Sequence, residues 1–310
     1  MNGLEITTKN ATKMNILRTA DAAFDSLEDY PFTPHYVQVS DNLRMHYVDE
    51  GKGPLVLLLH GEPSWSYLYR SMIPIFVEAG MRVIAPDLIG FGKSDKPSEQ
   101  SDYTYAKHIE WTQDLVKQLD LQDIHLFIQD WGGLIGLRLV CDEPKRFASI
   151  VAGNTMLPTG TVSPPKAFLD WQQFATSSPK FDIATVIQRG TTTDLSPAIL
   201  AAYNAPFPTD EYKAGARIFP ALVPTTEDDP ESNNNKAAWN VLCQWTKPFL
   251  TLFSDQDPIT KGGEQVFQKL VPGTNGHAHT LVSGGHFLQE DQGPELASNM
   301  IAFYKQNNFI

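Results

Sequence analysis

Cysteine is scarce: the chain has two, Cys141 and Cys243, among 310 residues. Two isolated thiols make neither a disulfide framework nor a metal-ligand spacing, and a reducing compartment, the cytoplasm, is the expectation. Basic charge is also short, with 24 Lys and Arg against 36 Asp and Glu and a formal net charge of −12. Nucleic acid and anionic membranes both demand a basic face, so neither is expected as a partner. Long apolar runs are missing too. None approaches the ~18 residues of a membrane span, and Met1 to Lys13 holds no apolar core of signal-peptide length. Those first residues are expected to form a loosely ordered extension, with Met14 a second possible start. Internal repeats and low-complexity tracts are absent as well.

What remains is the composition of a globular protein, 42% hydrophobic and 19% charged. A chain of this length can bury about 75% of its unfolded surface, so a large core needs no staples. Tyr36 to Gly51 alternates like an edge hairpin, and Leu55–Leu59, Arg82–Ala85 and Ile124–Gln129 are apolar enough to be buried strands. Arg70 to Gly80 and Tyr105 to Leu119 read as helices between them, and Ser149–Ala152 as a further strand. Such alternation predicts an α/β fold with a mainly parallel central sheet flanked by helices. Near Met156 the character changes to Pro, Thr, Ser and Asn, with helical pieces around Phe168–Phe174 and Pro197–Tyr203 and a polar loop at Thr225–Asn235. Sheet character returns at Pro248–Phe253 and His279–Val282. The division expected is a core of residues 1–155 and 236–310 interrupted by a helical cap, 156–235.

The stretch that organises the rest is Ile124 to Leu137, an apolar run ending at Gln129 and followed by Asp130-Trp131-Gly132-Gly133. An Asp at a strand-to-helix junction is most often an ordinary helix cap. Here, however, x-x-Asp-Trp-Gly-Gly occupies the place of the G-x-S-x-G nucleophile elbow of α/β-hydrolases. An elbow lifts one side chain above the sheet and points a helix N-terminus at it, where an anion is favoured.

Order along the chain turns the balance toward a nucleophile. Phe249–Phe253 runs into Ser254-Asp255-Gln256-Asp257-Pro258, and Leu281-Val282 into Ser283-Gly284-Gly285-His286. Nucleophile, acid and histidine therefore follow three successive strand ends in the order of an α/β-hydrolase triad. Asp257 is preferred as the acid for its spacing before Pro258, with Asp255 as the alternative. A carboxylate, unlike a serine hydroxyl, is already ionised at pH 7 and can displace a leaving group from saturated carbon. His286 is then free to take a proton from water that attacks the resulting ester. The oxyanion formed needs backbone donors, by position the N–H groups of Trp131 and Glu62.

His60-Gly61-Glu62-Pro63, Gly90-Phe91-Gly92-Lys93-Ser94-Asp95-Lys96-Pro97 and Gln129-Asp130-Trp131-Gly132-Gly133 together resemble the haloalkane dehalogenases, and so does the cap stretch Ala202–Pro208. The resemblance runs from about Met14 to near the C-terminus. It implies halide release between two indole N–H donors, Trp131 and the cap residue Trp171. It also implies a pocket lined by Phe168, Phe219, Pro220, Val223 and Leu134. The partners implied are a small apolar halogenated substrate, a short haloalkane converted to a primary alcohol, and the halide ion. No metal or organic cofactor is required, and a monomer is expected. His277 and His279, lacking a third ligand at useful spacing, are expected to be solvated loop residues. The rival is an epoxide hydrolase, which shares the Asp–His–Asp chemistry but protonates its substrate with cap tyrosines; Tyr203 and Tyr212 are the candidates.

Overall fold

Largely apolar on both faces, the runs Leu55–Leu59, Ile124–Gln129 and Phe249–Ser254 are buried at every residue. Strands read this way when helices cover both sides of a parallel sheet. The computed structural model describes residues 14–310. The extension expected at Met1 to Lys13 lies outside the described residues. Eight strands form the main sheet: β1 (His35–Val39), β2 (Leu43–Gly51), β3 (Leu55–Leu59), β4 (Arg82–Pro86), β5 (Ile124–Gln129), β6 (Phe147–Gly153), β7 (Phe249–Ser254) and β8 (Thr280–Val282). Their spatial order is β8-β7-β6-β5-β3-β4-β2-β1. Only β2 runs against its neighbours, pairing antiparallel with both β1 and β4. The expected mainly parallel sheet is the one found, and this is the α/β-hydrolase fold.

Helices α1 (Ile73–Glu78), α2 (Tyr105–Gln118) and α3 (Trp131–Asp142) connect the early strands, while α9 (Gly263–Leu270) and α10 (Leu288–Gln306) close the chain. Between β6 and β7 the chain makes its long excursion through α4 (Lys166–Ser177), α5 (Ile183–Arg189), α6 (Pro197–Asn204), α7 (Ala214–Ile218) and α8 (Ser232–Leu242), with no strand. Thr104 caps α2, Asp182 caps α5 and Ser196 caps α6 through their side-chain oxygens. The sheet's parallel strands all point their C-terminal ends to one edge. That edge holds the chemistry, as open α/β sheets dictate.

Three local expectations are corrected. Arg70 to Gly80 is not one helix: a 3₁₀ turn covers Ser66–Tyr69 and α1 begins at Ile73. Arg70 between them is drawn into a buried pair with Glu290, at 2.5 and 2.8 Å. The polar stretch Thr225–Asn235 is not all loop, because α8 starts at Ser232. Its polar residues are satisfied by tertiary contacts that leave no apolar period to read. Ser232 Oγ donates to the Thr226 carbonyl at 2.7 Å, Asn235 Nδ2 to that of Pro158 at 2.7 Å, and Arg138 of α3 to Asn235 Oδ1 at 3.1 Å. His277 and His279 are half-buried rather than solvated. His279 Nδ1 accepts the Thr251 N–H at 3.1 Å, and His277 packs edge-on to Phe303.

Candidate active site

At the end of β5 the backbone turns sharply, with Asp130 at φ 50° and ψ −125°. That is a strained conformation for a residue with a side chain. Asp130 makes no side-chain capping bond to α3. The ordinary cap geometry, extended backbone and an oxygen on the N2 or N3 amide, is therefore not the one adopted. Ile128 stands where elbows usually carry a small residue, and the helix makes room for it. A Cβ at Gly136 would lie 2.6 Å from the Ile128 methyl. Gly61 has a comparable role opposite, since any side chain there would collide with the Asp130 carboxylate.

The raised carboxylate is held from two sides. Oδ1 accepts the Glu62 N–H at 2.7 Å, and Oδ2 lies 3.5 Å from His286 Nε2. The opposite ring nitrogen, Nδ1, lies 3.0 Å from Asp257 Oδ2. Asp257 is buried, and further bonds from the Ile259 N–H at 2.9 Å and the Thr260 hydroxyl fix it. Asp255 is exposed and accepts the Gly284 N–H at 3.1 Å instead. Of the two candidate acids, Asp257 is the one in hydrogen-bond reach of the ring.

Electrostatics follows from this arrangement. Burial opposes charge on Asp257, but the His286 ring and the donors from Thr260 and Ile259 outweigh it and bring its pKa down to about 2. Burial likewise opposes the imidazolium, yet the carboxylates of Asp257 and Asp130 raise His286 to about 10. Glu62 shows the reverse. Burial first, and the neighbouring Asp130 charge second, push its carboxyl well above the usual carboxylate range. The buried site thus disfavours a second negative charge beside Asp130.

Above the carboxylate opens a cavity of about 1130 Å³ that reaches both Trp131 and Trp171. Trp131, the first residue of α3, is braced edge-on by Tyr105 and by Phe219, whose ring centre is 4.5 Å away. Trp171 comes from α4, in the excursion between β6 and β7, and packs with Phe174 and Phe181. Leu134, Phe168, Pro220 and Val223 line the same space. Phe219 does not. It is fully buried one layer back, between Trp131, Phe91 and His108. Tyr203 and Tyr212 are not among the lining residues either. Tyr203 is buried and its hydroxyl donates to Glu290. Among the described residues no cluster of three or more His, Cys, Asp or Glu could hold a metal ion.

Two residues at this edge escaped the sequence reading. Asn154, just past β6, is fully buried; its Nδ2 donates to the carbonyls of Gly285 and His286 at 2.9 and 3.0 Å, and its Oδ1 accepts the Ser254 N–H at 2.9 Å. Gln129 Nε2 lies 3.2 Å from both the His286 carbonyl and its Nε2. Both stand at strand C-terminal ends, the position that marked Asp130 and was not applied to amides.

Comparison with known proteins agrees with this architecture. Residues 54–292 match the family described as alpha/beta hydrolase fold. A haloalkane dehalogenase from Psychrobacter cryohalolentis is 58% identical over 301 residues, 95% of this chain and 99% of that protein. One from Mycolicibacterium paratuberculosis is 47% identical across 94% of this chain and 98% of its own. Among solved structures, a tetrameric haloalkane dehalogenase from Paraglaciecola agarilytica superposes with a TM-score of 0.85 at 35% identity, covering 92% of this chain and 97% of that one.

Proposed function

The chain belongs to the haloalkane dehalogenases of the α/β-hydrolase fold, and we propose that Asp130, His286 and Asp257 perform the reaction as nucleophile, base and orienting acid. The enzyme hydrolyses carbon–halogen bonds, taking a halogenated substrate and releasing halide. The observation that carries the assignment of roles is the Asp130 carboxylate, raised on a strained turn, between the Glu62 N–H at 2.7 Å and His286 Nε2 at 3.5 Å. In the first step Oδ2 displaces halide from carbon: the new C–O bond forms as the C–X bond breaks. Halide departs with its electron pair toward the indole N–H groups of Trp131 and Trp171. Two neutral donors in an apolar pocket suit a weakly hydrated anion and do not trap it as a full charge would.

In the second step water attacks Cγ of the Asp130 ester. His286 Nε2 takes the water's proton, and Asp257 stabilises the imidazolium from the other side. Negative charge develops on Oδ1, which already lies on the Glu62 N–H. The free N–H at the start of α3, on Trp131, is the second donor. On collapse the bond from Cγ to the alkyl oxygen breaks. That oxygen takes the proton back from the His286 imidazolium and leaves as the alcohol, and the carboxyl left on Asp130 gives its remaining proton to solvent. Residues 156–235 act as the cap that supplies Trp171 and Phe168. Leu134, Pro220 and Val223 complete the pocket, while Phe219 supports Trp131 from behind. Short primary haloalkanes are the substrates chosen to test this.

The reading needs no second subunit, because triad, donors and pocket come from one chain; a monomer is our proposal, tested by the mass in solution. A cytoplasmic site rests on two free thiols, Cys141 and Cys243. No helix among the described residues is long and apolar enough to cross a membrane. The epoxide rival lacks acids: Tyr203 is turned to Glu290 and neither cap tyrosine reaches the cavity. The deciding experiment measures halide release from 1,2-dibromoethane and 1-bromobutane, with styrene oxide alongside. Bromide release that vanishes in Asp130→Asn supports the assignment. Bromide release retained in that variant overturns the nucleophile, and diol from styrene oxide without bromide overturns the halide site.

A further inference from the structure

His286 stands on the loop between β8 and α10, and the residues on either side of it are tied to the cap. Asp291, half-buried in the first turn of α10, accepts the Gly285 N–H through Oδ2 at 2.7 Å. The same carboxylate accepts the Thr192 N–H at 3.0 and 3.1 Å and the Thr193 N–H at 2.8 Å. On the other side of the histidine, the Phe287 N–H donates to the Gly190 carbonyl at 3.0 Å. Residues 190–193 form the turn that follows cap helix α5, and Gly190, Thr191 and Thr192 line the cavity. One carboxylate thus holds backbone donors from the histidine loop and from the cap at once. Charge-assisted bonds of this kind are roughly twice as strong as neutral ones.

We propose that Asp291 is a positioning residue for His286: it locks the 284–287 loop onto the 190–193 turn of the cap and so fixes where Nε2 meets the attacking water. The proposal rests on the reading of His286 as the base for ester hydrolysis. The first step depends on Asp130 and the indoles, none of which sits on this loop. The second step depends on the ring's exact reach, and small displacements of a base are costly. Asp291 therefore bears on hydrolysis and leaves alkylation alone. Its neighbour Glu290 provides a contrast. Glu290 also joins α10 to the cap, through Tyr203 of α6, and pairs with Arg70 ahead of α1, but its carboxylate bonds those side chains rather than the histidine loop.

The test is pre-steady-state bromide release from 1-bromobutane, with mass spectrometry of the quenched protein, for wild type, Asp291→Asn, Glu290→Gln and His286→Gln. An amide at 291 keeps one acceptor and turns an N–H toward the other set of donors, so one end of the clamp is lost. Asp291→Asn is expected to keep the burst rate, lose about tenfold or more in steady-state turnover, and accumulate butylated protein. Glu290→Gln is expected to lower the melting temperature without accumulating it. Equal slowing of both steps in Asp291→Asn, or equal accumulation in Glu290→Gln, overturns the proposal, since either would mean general loosening. Should Asp291→Asn fail to fold, Asp291→Glu replaces it: the charge stays, the reach changes, and absence of accumulated adduct again overturns the idea. If His286→Gln itself accumulates nothing, the assignment of the base has failed, and that result is distinct from the others.

Discussion

Oδ2 of Asp130 stands 3.5 Å from Nε2 of His286, and that spacing ties the charge of one to the protonation of the other. Burial disfavours the imidazolium, yet Asp257 and Asp130 together raise the ring to about 10. In the mechanism we propose, alkylation turns Asp130 into a neutral ester and removes one of the two charges, so the ring becomes easier to deprotonate when a base is first needed. Asp130→Asn imitates the neutral state. An NMR titration of the His286 ring is expected to give a pKa near 10 in the wild type and a clearly lower value in the variant; equal values would remove the coupling. Stability follows the same sign. A ring raised from about 6.5 to about 10 contributes stability that is complete below pH 6.5 and lost as pH climbs to about 10. The wild-type melting temperature should fall through that window more steeply than that of Asp130→Asn.

Asp257 and Asp255 are two residues apart in sequence, and only Asp257 reaches the ring. Asp257→Asn is expected to slow turnover about 10²- to 10⁴-fold, the range over which a positioned base contributes, with halide burst retained. Asp255→Asn should stay within about twofold, because the side chain is exposed and the amide oxygen can still accept the Gly284 N–H. Steady-state and burst kinetics on one haloalkane check both. The reverse order of effects would exchange the two roles.

The strand ends were legible because each is announced by a mostly apolar run that is buried throughout: Ile124–Gln129 before Asp130, Phe249–Ser254 before Asp257. Fold and triad order come from such runs, which local pattern displays well. Packing depth does not come from pattern. Phe168 and Phe219 are both apolar residues of the stretch between β6 and β7, and nothing in their neighbours says that the first faces the cavity while the second supports Trp131 from behind. Asn154 was missed for a related reason. A buried amide that joins three strand ends is recognisable only once those ends are brought together. The start of α8 was hidden because Ser232 and Asn235 spend their polarity on tertiary partners, where a loop would spend it on water.

Trp131 and Trp171 reach the same cavity from opposite parts of the chain, the helix after the elbow and the cap. If each donates to the halide, replacing either indole by Phe removes a hydrogen bond to an anion, worth about 1.5–3 kcal/mol. Bromide binding, followed through quenching of tryptophan fluorescence or product inhibition, should weaken about 10- to 100-fold in Trp171→Phe. Turnover should fall with it, because the same bond stabilises the departing halide. Unchanged bromide affinity would return Trp171 to an ordinary packing role beside Phe174 and Phe181.

Phe219 and Phe168 separate stability from pocket shape. Phe219 is fully buried against Trp131, Phe91 and His108, so Phe219→Ala opens a cavity in a packed layer and should cost about 3–5 kcal/mol. Phe168 is half-buried with one side on the cavity, so its truncation forfeits only part of a burial term of about 1.5–3 kcal/mol. Thermal unfolding should therefore rank Phe219→Ala far below Phe168→Ala. Kinetics should rank them by another rule. Phe168→Ala widens the space beside Trp171 and should shift the preference toward longer haloalkanes, read as a change in the ratio of kcat/KM between 1-bromohexane and 1,2-dibromoethane. Phe219→Ala removes the support of Trp131 and should weaken halide binding for every substrate alike. Should Phe219→Ala alter chain-length preference while leaving bromide affinity intact, the side chain faces the substrate after all, and its place one layer back is wrong.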